Sequence, residues 1–76
     1  MKELVEYIAR TIASNPDAVK VTEEVEEDGH ISIRLEVAPE DKGKVIGREG
    51  RVAQVMRTLL RVAAIKEDSH ATLEIT

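Results

Sequence analysis

Residues 43–51 read Gly-Lys-Val-Ile-Gly-Arg-Glu-Gly-Arg. Two of these glycines, Gly47 and Gly50, stand three apart with Arg48 and Glu49 between them. Glycine takes positive φ without cost and lets another backbone approach closely. Upstream, Ala38-Pro39-Glu40-Asp41 starts a short helix, since proline suits the first helical position and carboxylates suit the positive end of the helix dipole. That helix runs only to about Ile46, because glycines follow. A long helix resumes at about Arg51. Its apolar residues Val52, Ala53, Val55, Met56, Leu59, Leu60, Ala63 and Ala64 cover an arc of roughly 180° at about 100° per residue. The nine residues therefore predict a tight turn between two helices.

Further out, the pattern changes period. Ile31, Ile33, Leu35 and Val37 alternate with polar residues, which predicts a strand half buried on one face. Asp28-Gly29 ahead of it is a hairpin signal. Val19, Val21 and Val25 before the turn share one parity, and Glu23 interrupts it, which predicts an edge strand or a bulge. Leu4, Val5, Ile8, Ala9 and Ile12 form one stripe of a first helix, which Asn15-Pro16 ends. Ala71, Leu73 and Ile75 alternate as a last strand. The order is α-β-β-α-α-β. The helical crossover between the second and third strands makes them parallel. The fold class is α+β, with a three-stranded mixed sheet packed by helices on one face and its second strand central.

The chain has 76 residues and no cysteine, so it has no disulfide framework and no thiol nucleophile. No apolar run approaches the ~20 residues of a membrane span. The formal net charge of −4 conceals an asymmetry. Residues 1–41 carry four basic and eleven acidic side chains. Residues 42–61 carry six basic (Lys42, Lys44, Arg48, Arg51, Arg57, Arg61) and one acidic, Glu49. An acidic chain with one concentrated basic segment can still present an anion-binding face. Lys44, Arg48 and Arg51 surround the glycine turn, amide groups at the start of the following helix face the same space, and Ile46 borders it. A single nucleotide strand shares that dual character, with an anionic backbone and flat apolar bases. The spacing is that of neither GxxxxGK[ST] nor GxGxxG.

Val45-Ile46-Gly47-Arg48-Glu49-Gly50-Arg51 resembles the IGxxG signature of KH domains. The element order is similar to the type II KH arrangement, and the resemblance covers residues 1–76 as one KH domain. Val37-Ala38-Pro39-Glu40-Asp41 before the motif and Arg57-Thr58-Leu59-Leu60 after it resemble the KhpA family of small bacterial RNA-binding proteins. The resemblance implies single-stranded RNA as ligand, a cytoplasmic location, self-association, and pairing with a larger KH-containing protein of the KhpB or Jag type. It also implies post-transcriptional or chaperone roles linked to cell elongation and division. The site residues it implies are Lys44, Ile46, Gly47, Arg48, Glu49, Gly50 and Arg51. Glu49 departs from the usual basic or small residue and makes Arg48 the more important of the pair.

Other candidates carry less. Glu23-Glu24-Val25-Glu26-Glu27-Asp28 lacks the alternating spacing of a calcium loop and reads as a solvated hairpin. His30 and His70 are far apart in sequence and read as surface residues. Ser69-His70 has no evident third residue to orient the histidine. No catalytic pair, metal site or cofactor is expected. The alternative function is a KH domain kept for protein–protein contact after losing RNA.

Self-association is expected on two grounds: one sheet face has no helical cover, and the long helix has about twice the apolar arc its own sheet can use. Ala53, Leu60 and Ala64 are assigned to the core. Val52, Val55 and Leu59 are assigned to a partner or to bases, which would place dimer and RNA in competition.

Overall fold

A computed structural model describes residues 1–76. Helix α1 spans Lys2–Ile12, strand β1 Lys20–Val25, strand β2 Ile31–Glu36, helix α2 Lys42–Ile46, helix α3 Arg51–Lys66 and strand β3 Ala71–Ile75. Short 3-10 turns precede β1 (Pro16–Ala18), precede α2 (Pro39–Asp41) and link α2 to α3 (Arg48–Gly50). The sheet order is β1-β2-β3, with β1 antiparallel and β3 parallel to the central β2. This is the type II KH arrangement expected from the sequence.

The alternation in β2 decides the layers. Ile31, Ile33 and Leu35 point to the helices and are buried. They meet Val5 and Ala9 of α1, Val45 of α2, Met56 and Leu60 of α3 and Leu73 of β3 in one core. α1 buries Val5 and Ala9, four apart, so one side of that helix faces the sheet. α3 buries Ala53, Met56, Leu60 and Ala64, which includes the three residues assigned to the core from spacing.

The expected irregularity at Glu23 is an edge strand without a bulge. β1 pairs residue for residue from Lys20↔Glu36 to Val25↔Ile31. Glu23 lies on the helix side, and its Oε1 accepts a hydrogen bond from the Lys2 amide at 3.1 Å and lies 3.7 Å from the Met1 ammonium. A carboxylate there meets an unpaired amide and the positive end of α1. Val25 has no helix above it and is 68% exposed.

The uncovered sheet face also corrects an expectation. It presents Lys20, Thr22 and Glu24 on β1, Ser32, Arg34 and Glu36 on β2, and Thr72 and Glu74 on β3. Arg34 Nη2 lies 3.5 Å from Glu74 Oε2 across neighbouring strands. A sheet face lined by polar and charged side chains can stay in water, so this surface offers no apolar area to drive association. No helix is long and apolar enough to cross a membrane.

Candidate nucleic-acid interface

The glycine turn joins α2 to α3 through four residues, three of which, Gly47, Glu49 and Gly50, have positive φ. Gly47 has φ 80 and ψ 170, Glu49 φ 58 and ψ 24, and Gly50 φ 75 and ψ 15. Gly47 donates its amide to Gly43 O at 2.9 Å, and Gly50 donates to Gly47 O at 3.0 Å. Arg51 N–H donates to Arg48 O, so one helix-start amide expected to face a ligand is already used. A β-carbon on Gly47 would lie 2.6 Å from Val52 Cγ2 and 2.8 Å from Val52 N. One on Gly50 would meet nothing within 4 Å. Val52 thus belongs to the turn and packs against the core, and is not free for a partner.

The structure sorts the sequence-predicted site residues. Arg48 and Glu49 are exposed at the tip. Arg51 Nη2 lies 3.4 Å from Glu49 Oε2, so these two exposed charges offset one another. Arg48 has no carboxylate within salt-bridge distance and is the turn's unpaired cation. Ile46 is 40% exposed immediately before Gly47, an apolar border as expected. Lys44 turns the other way: its Nζ donates to Ser14 Oγ at the exit of α1.

Asp41 has a role that the sequence reading missed. Its side chain is buried, and its two oxygens accept from Ser14 N and Asn15 N, each at 2.9 Å. The Asn15 and Ser14 amides hold the Asp41 carboxyl below the usual carboxylate range, with a smaller pull from Lys44. Asp41 therefore ties the exit of α1 to the start of α2, directly ahead of the glycine turn.

A depression continues from the helices along β3. Arg57, Arg61, Ala71, Thr72 and Leu73 line one stretch of it. Ala64, Ile65, Ser69, His30 and His70, with Arg61 and Thr72 again, line the next. Arg57 Nη2 donates to Leu73 O at 3.4 Å, placing a guanidinium on the rim. His30 Nε2 lies 3.0 Å from Thr72 Oγ1, so the fold brings together His30 and His70, which the sequence left apart. Arg57 and Arg61 were visible as part of the basic segment. Their spacing of four, which stacks them on one side of a helix, was the signal that could have placed them together. No group of three or more His, Asp or Glu is arranged to hold a metal ion.

Residues 2–75 match the KH-domain family described as KhpA/KhpB. The chain is 52% identical to an RNA-binding protein KhpA of Caldanaerobacter subterraneus subsp. tengcongensis over 75 residues, 99% of both chains. It is 48% identical to an RNA-binding protein KhpA of Clostridium perfringens, again over 99% of both. Against the RNA-binding protein KhpA of Aquifex aeolicus the identity is 40%, over 99% of this chain and 94% of that one. No solved structure matches the chain. A type II KH sheet, an IGxxG turn between its helices and relatives matched nearly end to end agree, and the chain belongs to the KhpA/KhpB family of KH domains.

Proposed function

We propose that the chain is a non-catalytic single-stranded RNA-binding module, its one KH domain spanning residues 1–76. The observation that supports this most directly is the exposed turn Gly47–Gly50, where the unpaired Arg48 stands beside exposed Ile46. Arg48 and the turn backbone grip phosphate, Glu49 limits the charge, and Arg51 adds attraction once phosphate competes with Glu49. Lys44 contributes at longer range from its place beside Ser14. Bases lie beyond Ile46 against the α3–β3 depression, with about four nucleotides held. The chain has one aromatic residue, Tyr7, on α1. Aromatic stacking at ~1–3 kcal/mol per base is therefore not its source of affinity.

The family resemblance extends the proposal. The protein acts in the cytoplasm as an RNA chaperone or post-transcriptional regulator linked to cell elongation and division. It associates with itself and with a larger KH-containing protein of the KhpB or Jag type. A second reading, protein–protein contact without RNA, is favoured by the exposed apolar residues Val55, Leu59 and Val62 on α3. Anisotropy titration with a random single-stranded RNA pool at two salt concentrations separates them. Phosphate contacts lose affinity steeply with salt, whereas an apolar protein interface does not. Absence of RNA binding at low salt overturns the first reading.

A further inference from the structure

The parallel register of β2 and β3 sets two histidines at one corner of the sheet. Ile31 pairs with Ala71, so His30 and His70 stand side by side, each directly ahead of its strand. The Ile31 amide donates to His70 O at 2.7 Å, and the Glu26 amide donates to His30 O at 2.8 Å. Asp28 Oδ1 accepts from the His30 amide at 2.9 Å. Both histidines therefore start from a fixed backbone, and His30 Nε2 lies 3.0 Å from Thr72 Oγ1.

The last turns of α3 bring Arg61 to the same place. It lines, with His30 and His70, a depression of about 470 Å³ whose apolar wall is Ala64, Ile65 and Ala71. No carboxylate lies within salt-bridge distance of Arg61. Ser69 belongs to the same lining, and its Oγ is buried without a hydrogen-bond partner. A buried hydroxyl left unpaired is uncommon and calls for an explanation. At 1.5 Å of rise per residue, Arg61 stands about 15 Å along α3 from Arg51, and Ile65 about 21 Å. The corner is thus the far end of the depression, well beyond the glycine turn.

We propose that this corner is a second phosphate subsite, which takes a phosphate of the RNA strand several nucleotides beyond the glycine turn and binds it more tightly when His30 and His70 are protonated. The inference rests on the RNA-binding reading for its strand and on the corner's own side chains for the phosphate. A protonated imidazole donates from both nitrogens, so His30 can keep Thr72 and still donate to a ligand. The Arg61 guanidinium offers a planar fork that matches phosphate oxygens. Rotation about χ1 gives Ser69 Oγ the partner it lacks, and the apolar wall suits the sugar and base that accompany the phosphate.

The charge change belongs to the histidine pair. Histidine is the side chain whose charge ordinarily changes between pH 5 and 8. The other charged groups around the corner are Arg61 on α3, Asp28 in the hairpin, Glu67 and Asp68 in the loop ahead of His70, and Arg34 with Glu74 on the open sheet face. Arg34 and Glu74 pair with one another at 3.5 Å, and one oxygen of Asp28 is taken by the His30 amide. None of the acids lines the depression.

The test is an anisotropy titration of a single-stranded random RNA oligomer of about eight nucleotides, twice the roughly four that one KH groove holds. It is run at about pH 6 and about pH 8, on either side of ordinary imidazole titration. Wild type binds roughly fivefold more tightly at the lower pH, the gain expected of two exposed charge contacts. The chain has two histidines, so the double variant His30→Gln, His70→Gln has none, and its affinity ratio falls to about one. Should that variant fail to fold, His70→Gln, at the more exposed position, removes part of the gain. Oligomers ending in a hydroxyl or in a phosphate monoester identify the source of the phosphate. Each is measured against the histidine-free chain, because the monoester itself titrates near pH 6. An equal gain assigns an internal phosphodiester, and a gain confined to the monoester assigns a strand end. Wild type that binds RNA equally at both pH values overturns the proposal and leaves the RNA-binding reading standing. So does a gain that survives in the histidine-free chain, since another group then carries it. If wild type binds no RNA at either pH, the RNA-binding reading fails, and inorganic phosphate at constant pH decides the corner by itself. Phosphate that shifts the ring NMR signals of both histidines in wild type, and not after Arg61→Ala, retains the anion site; ring signals that do not move overturn it.

Discussion

Val52 occupies the space that any side chain on Gly47 would need: its Cγ2 lies 2.6 Å from where a β-carbon on Gly47 would stand. The clash involves Val52 N as well, at 2.8 Å, so a rotamer change cannot relieve it. Gly47 also has φ 80 and ψ 170, a region nearly closed to other residues. Gly50, three residues on, is left-handed with open space around it.

The two glycines are therefore expected to differ when substituted. Gly47→Ala carries backbone strain of about 1–3 kcal/mol before the clash is added. At about 4–8 °C per kcal/mol for a domain of this size, its melting temperature falls by roughly 10 °C or more. Gly50→Asn stays within about 1 kcal/mol of the parent, since asparagine tolerates the left-handed region. Thermal melts of both variants check this. Equal losses would mean that the Val52 contact does not set the requirement for glycine.

The contrast shows what the sequence could and could not carry. The Ile31-Ile33-Leu35 alternation and the Gly47–Gly50 spacing report local geometry, so strand, turn and helix order were legible. The Gly47–Val52 contact needs the path of the turn, and spacing alone set Val52 with Val55. Asp41 reads locally as a helix-dipole carboxylate, yet its partners lie 27 and 26 residues away. Lys44 meets Ser14 across 30 residues. Such contacts exist only once the core has brought α1 beside α2. The polar character of the open sheet face was present in the same alternation that identified the strands. The residues between the apolar ones, Ser32 and Arg34 on β2 and Thr72 and Glu74 on β3, are the ones that make that face polar.

Asp41 gives a pH-dependent prediction. Its carboxyl is held below the ordinary range by the Asn15 and Ser14 amides. The folded state therefore binds the proton less readily than the unfolded chain. The resulting stability is fully present above the ordinary value of about 3.9 and is lost as pH falls through the lower folded value. Asp41→Asn keeps one acceptor and turns an NH2 group toward the second amide, so it destabilises at neutral pH. The difference in melting temperature between wild type and Asp41→Asn should shrink below about pH 4. A difference that stays constant across that range would remove the charge of Asp41 as its cause.

The tip of the turn should separate binding from folding. Arg48 and Glu49 are exposed, and Glu49 already sits at φ 58. Aspartate is among the residues that tolerate that region. Changing both to Asp is expected to alter stability by no more than about 0.5 kcal/mol, while placing two acids against phosphate. RNA affinity should be abolished and the melt unchanged. An unchanged anisotropy titration would exclude the turn as the phosphate contact.

The depression along β3 makes the last prediction. Arg57 and Arg61 stand on one flank of α3, and Arg57 already reaches Leu73 O on the rim. If the strand follows this path beyond the turn, each guanidinium meets phosphate or a base edge. A single-stranded ligand releases counterions so that log K falls against log salt with a slope of about −0.7 per phosphate neutralised. Arg61→Ala should weaken binding and make that slope shallower by about 0.7. Arg57→Ala has a second effect, since it also removes a contact to the β3 backbone, and a small loss in melting temperature accompanies the weaker binding. Arg10→Ala is the control. That side chain pairs with Glu6 on the exposed side of α1, with Nη1 at 3.1 Å from Oε1. It should leave the slope unchanged. Titrations of the three variants at a series of salt concentrations decide the path. If Arg61→Ala lowers affinity without changing the slope, the arginine meets a base and no phosphate. If neither groove variant changes affinity while the Arg48 and Glu49 double variant does, the RNA leaves the protein at the turn and β3 takes no part.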